Sequence, residues 1–166
     1  MYTLAHLHLL LNHIPIIVPP LGLLLLALAW LRRDDLMARI GLAFIIGGAV
    51  AALPSYFTGD SAEHAVIRAP GVTRAIIHQH EDAALIGSIV LGVVALFAAW
   101  VLWRYRRPVV VPRGVITLGI IGALAASGWF AWVGLLGGAI RHTEMRLDPP
   151  PAFGVTDTII ARTTRQ

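Results

Sequence analysis

Four stretches of this chain are almost purely apolar, and each is long enough to cross a bilayer as a helix, which takes ~20 residues. They cover about 9–31, 36–57, 83–103 and 115–140. The segments between them differ in kind. Arg32-Arg33-Asp34-Asp35 joins the first pair, and residues 104–113, with Pro108 and Pro112, join the second. A longer polar connection, 58–82, links the two pairs. Alternation typical of strands is absent. The pattern predicts an all-α, integral membrane four-helix bundle over 1–146, followed by an extended tail over 147–166 that contains Pro149-Pro150-Pro151. Inside the long connection, 61–77 reads as a short helix lying on the membrane surface over the bundle mouth, interrupted at Ala69-Pro70-Gly71. Residues 1–11 carry no Lys or Arg, so the first span is expected to be retained rather than cleaved as a signal peptide.

Composition supports the membrane assignment. Hydrophobic residues make up 57% of the 166 and charged residues 13%, against roughly 25% charged in a soluble domain. That leaves too little polar surface to cover a soluble globule. With no cysteine, disulfides, thiolate metal sites, iron–sulfur clusters and covalent haem attachment are excluded. All the basic side chains are Arg, and they flank the spans, which marks topology rather than a nucleic-acid surface. Arg32, Arg33, Arg39, Arg104, Arg106, Arg107 and Arg113 cluster at the short turns. Only Arg68, Arg74, Arg141 and Arg146 lie near the other span ends. The positive-inside rule then puts the short turns in the cytoplasm and both termini outside. The expected location is a bacterial inner membrane, crossed several times. No phosphate loop, nucleophile elbow or dinucleotide fingerprint is present, which speaks against a self-contained hydrolase or NAD-dependent enzyme.

The seven histidines, at 6, 8, 13, 64, 78, 80 and 142, all fall at or near the outer end of the spans. His13 sits within the first apolar run, where an ionisable side chain is costly and usually functional. On a straight helix His6 and His13 differ by about 20° and share a face, while His8 and Asn12 share another at i, i+4. Imidazole is the usual axial ligand of haem in bundles and the commonest metal ligand. The leading expectation is a b-type cytochrome-like electron-transfer subunit with haem b held by His13 and His80, and His8 with His142 as a second or alternate pair. Ala84, Gly87, Gly137 and Gly138 would make room for a flat macrocycle, and Arg74 and Arg141 would pair with its propionates. Close helix packing explains the same glycines without any cofactor. A second reading places a non-haem metal among His8, His13, His80, His142, Glu63 and Glu81, with imidazole and carboxylate suiting Zn, Fe, Mn or Cu. A third makes the chain a cofactor-free scaffold or assembly subunit. The tail suggests attachment to other membrane or periplasmic redox subunits.

Several of these pieces also carry a resemblance: His8-Leu-Leu-Leu-Asn12-His13-Ile-Pro15, Thr58-Gly59-Asp60-Ser61-Ala62-Glu63, His80-Glu81-Asp82-Ala83-Ala84, and 137–144 closing the last span. The chain resembles an uncharacterised family of bacterial four-helix membrane proteins of the domain-of-unknown-function type over roughly 4–146. In architecture it also looks like four-helix b-type cytochromes. The resemblance implies a four-span fold with a His-rich outer end, and favours His8, His13, His80 and His142 over His6, His64 and His78. It implies no particular reaction.

Overall fold

The computed structural model describes residues 3–142, and among these there are six helices and no strand. They are α1 (Leu4–Leu11), α2 (Ile14–Arg32), α3 (Asp35–Phe57), α4 (Gly59–Val66), α5 (Arg74–Arg104) and α6 (Arg113–Arg141). Four segments are long and apolar enough to span a membrane: Leu4–Arg32, Asp35–Phe57, Arg74–Arg104 and Arg113–Arg141. The last residues of the stretch 137–144, Arg146 and the tail expected over 147–166 lie outside the described residues.

Local chemistry explains where the helices start and stop. Asp34 accepts a hydrogen bond from the Met37 N–H at 3.0 Å, and Thr73 one from the Ile76 N–H at 3.4 Å, so both are side-chain N-caps. Arg33 closes α2 in the left-handed conformation, φ 57°, which lets the chain reverse within two residues. The break between α1 and α2 follows from Pro15. Its missing N–H and its ring remove the bond to the carbonyl four residues back. A tighter turn at Asn12-His13 takes its place, with the Ile16 N–H donating to His13 O at 3.2 Å.

Two boundaries depart from the sequence expectation. The third long helix begins at Arg74, nine residues before 83, and Ile76 and Ile77 belong to it rather than to a surface helix. The surface helix is shorter, ending at Val66. Polar residues Arg74, His78, Gln79, Glu81 and Asp82 mask the helix start from a hydropathy reading, although Thr73 supplies its cap.

The long helices pack in a ring, α2 on α3, α3 on α5, α5 on α6 and α6 back on α2. The core is thin and built from small residues. Leu26, Leu42, Ile45 and Leu91 fill it beside Ala29, Ala38, Ala98, Ala123 and Ala126. Many other large apolar side chains point outward: Leu96 is 73% exposed and Val93 62%. Exposed hydrophobics on every long helix match the lipid-facing surface of a membrane bundle, where small residues let the backbones approach.

At the short-turn end one side chain ties three segments together. The Arg39 guanidinium donates to Asp35 Oδ2 at 2.6 Å, Tyr105 O at 2.6 Å and Val109 O at 2.7 Å. Asp35 Oδ1 accepts from the Val111 N–H at 2.9 Å. Nearby, Arg113 lies 4.1 Å from the centre of the Trp30 ring and donates to Trp30 O at 2.9 Å. Arg39 and Arg113 therefore hold the turn 105–112 and the α6 start onto α2 and α3.

Candidate functional site

The histidines gather at the opposite end, where α1 and α4 fold against the ends of the long helices. Their rings divide into two groups by partner. A carbonyl oxygen has no hydrogen to give, so an imidazole nitrogen bonded to one must carry the proton. His8 Nδ1–H donates to Ser55 O at 2.9 Å, and His80 Nδ1–H donates to Val133 O at 3.1 Å. Both bonds join distant parts of the chain, and both rings are partly buried. In the neutral form each leaves Nε2 with a free lone pair. This is the arrangement by which a metal-ligating histidine is usually oriented, its other nitrogen fixed on a backbone carbonyl.

Each carbonyl is available for a physical reason. Ser55 lies in the last turn of α3, where backbone carbonyls lack helical partners. The Thr58 hydroxyl contributes as well, donating to Pro54 O at 2.8 Å and approaching Ser55 O at 3.1 Å. Val133 O is reached because Gly137, one turn further along α6, has no side chain. A Cβ at 137 would lie 3.0 Å from His80 Cε1. The same device works in reverse nearby. Trp129 Nε1–H on α6 donates to Ala83 O on α5 at 2.8 Å, and a Cβ on Gly87, one turn beyond, would lie 2.8 Å from Trp129 Cδ1. Helices α5 and α6 are thus locked by two reciprocal ring-over-glycine contacts.

The other sequence candidates are placed differently. His13 is exposed at the α1–α2 turn, and its Nδ1–H donates to Leu9 O at 3.0 Å, within its own helical turn. His64 does the same with Asp60 O at 2.8 Å. His78 pairs with Glu81 at 3.3 Å along α5. Arg74 pairs with Glu63 at 3.7 Å, joining the start of α5 to α4. Arg141 and His142 are exposed at the end of α6. Thus His8 and His80 turn inward, while His13 does not. Residues missed by sequence reasoning are Ser55 and Val133, which act through backbone oxygen, and Trp129. Asn12 adds one more feature: its buried Oδ1 has no hydrogen-bond partner, and it sits one turn from His8. Among the described residues no three His, Cys, Asp or Glu side chains gather into one metal-binding group.

Haem b between His13 and His80 does not fit these residues. The space expected from Gly137 is filled by the His80 ring itself, and that from Gly87 by the Trp129 indole. His13 is exposed and bonded within its own turn, and Arg74 is paired with Glu63.

On α4, outside the spanning segments, the hydrogen bond to Asp60 O and then the Asp60 carboxylate hold the His64 imidazole above its ordinary titration range. A raised value means that the protonated ring favours the folded form. This contribution is present at acidic pH and fades as pH rises through the raised value. The expected result is a His64 titration midpoint above the usual 6.5 in a pH series of ¹⁵N NMR spectra. Asp60→Asn should bring it back down, because the attraction of the carboxylate is lost while the backbone bond remains.

No family model, no curated protein and no solved structure matches this chain.

Proposed function

We propose that this chain is a multi-pass membrane subunit that binds a transition-metal ion through the Nε2 atoms of His8 and His80, and serves electron transfer beside a partner rather than turning over a substrate. The observation that carries the reading is the like anchoring of the two rings: each is held by its Nδ1–H on a distant backbone carbonyl, so each offers a lone pair. Imidazole suits ions of the copper, zinc and iron series. The unpartnered Oδ1 of Asn12, one helical turn past His8, is an available oxygen donor, and water would complete the coordination. The bacterial inner membrane, with the histidine end outward, is the proposed setting, from the Arg excess at the short turns. Other redox subunits are the proposed partners.

The test is a Zn(II) titration of metal-stripped protein in detergent, followed by ¹⁵N imidazole NMR. Zinc should move the Nε2 resonances of His8 and His80 together, at one equivalent, and leave those of His6 and His13 in place. His8→Ala or His80→Ala should weaken binding by at least roughly a hundredfold, the upper end of what losing a mere outer-shell partner costs. Zinc binding led by His6, His13 or His78, or no shift at any histidine, would overturn the reading.

A further inference from the structure

The arginine end of the bundle has a feature that the proposed ion site does not use. A cleft of about 450 Å³ opens there, lined by Trp103, Arg104, Arg106 and Arg107 with Pro108 and Val109. All three guanidiniums are exposed. The acidic residues at this end are committed elsewhere: Asp34 caps α3, and Asp35 takes Arg39 and the Val111 N–H. Arg104 lies 5.4 Å from the Tyr105 ring centre and offsets the negative end of the α5 dipole. Arg106 and Arg107 lie past the end of the helix and are exposed. The backbone that carries them is anchored, because Arg39 holds Tyr105 O and Val109 O on either side. Arginines therefore outnumber carboxylates at this fixed turn, where Asp35 already takes Arg39.

The surroundings of the cleft indicate what that charge meets. Trp100 and Trp103 are exposed on the last turns of α5, the level at which aromatic side chains mark a membrane interface. Below them Val93 and Leu96 present a bare apolar face on the same helix. A phosphate in the cleft would sit directly above a hydrocarbon track.

We propose that Arg104, Arg106 and Arg107 form a binding site for the phosphodiester headgroup of an anionic phospholipid, whose acyl chains lie along the exposed face of α5. The chemistry is charge-assisted bonding of guanidinium to phosphate oxygen, in which the planar fork matches two oxygens at once. Free phosphate shares that chemistry but leaves the apolar track uncovered, so the lipid is the proposed occupant. The proposal rests on the helices spanning a bilayer and is independent of His8 and His80.

The experiment reconstitutes the full chain into vesicles of mixed phosphatidylglycerol and phosphatidylcholine, checks incorporation by flotation, and counts co-purifying lipid by native mass spectrometry. Wild-type protein should retain phosphatidylglycerol in preference to phosphatidylcholine. The double variant Arg106→Gln/Arg107→Gln should lose that preference by about thirtyfold, roughly fivefold for each basic group at an anionic surface. Arg106→Lys/Arg107→Lys should keep most of it, which separates charge at the site from damage to the turn. Equal retention of the two lipids by wild type, an unchanged preference in the Gln variant, or equal binding of inorganic phosphate in zwitterionic micelles would overturn the proposal. A chain that fails to float with the vesicles overturns it at its premise.

Discussion

Arg39→Ala is expected to destabilise the bundle by about 3 kcal/mol, the lower part of the range for breaking a largely buried ion pair. The estimate follows from what the guanidinium holds. Its side chain is 14% exposed and that of Asp35 24%, so both charges are shielded but not fully dry. Removing Arg39 leaves the Asp35 carboxylate with one backbone donor, the Val111 N–H. It also strips a charged donor from Tyr105 O and from Val109 O. Asp35→Asn should cost less, because Arg39 keeps both carbonyls. Arg39→Lys should recover only part of the loss, since an ammonium lacks the fork that reaches three oxygens. Denaturation in mixed micelles measures these differences, and limited proteolysis within 105–112 should accelerate in Arg39→Ala before the spans respond. Equal stability of Arg39→Ala and wild type would show that the turn is held by something else.

Gly41→Val is expected to cost as much or more, about 3 kcal/mol or above, because the obstacle is backbone. A Cβ on Gly41 would lie 3.0 Å from Gly22 O and 3.1 Å from Leu26 N. One on Gly22 would lie 2.9 Å from Gly41 O. Neither contact ends in a flexible side chain that can swing aside, so α2 and α3 must separate along the seam. Gly47→Val is the matched control on the same helix, where a Cβ would meet nothing within 4 Å. It should be near neutral. A loss at Gly41→Val no larger than at Gly47→Val would mean that the α2–α3 contact is looser than this packing requires.

The four apolar runs made the spans legible, because a bilayer demands length and hydrophobicity together and little else in the sequence competes with that signal. The gathering of histidines at one end was legible for the same reason, since the span order alone brings those ends together. Orientation was not. A single helical wheel through 6–13 puts His6 and His13 on one face, but Pro15 breaks the ladder at Asn12-His13, and His13 then bonds its own turn. The glycines were ambiguous for a deeper reason. Gly87 and Gly137 leave room, and only the packing of α5 on α6 shows that Trp129 and His80 take it up. Arg39 was visible as one more basic residue near a short turn. Its grip on Tyr105 and Val109 depends on carbonyls more than sixty positions away, which no local pattern encodes.

The proposed ion site requires His8 and His80 to act together at one end of a membrane bundle. Elemental analysis of the detergent-purified protein, paired with oxidised and dithionite-reduced absorption spectra, tests it most directly. About one equivalent of a redox-active copper- or iron-class ion per chain is expected, lost in both His8→Ala and His80→Ala, retained in His13→Ala, and accompanied by no Soret band. A metal-free, colourless protein, or stoichiometric haem b that depends on His13, would contradict it.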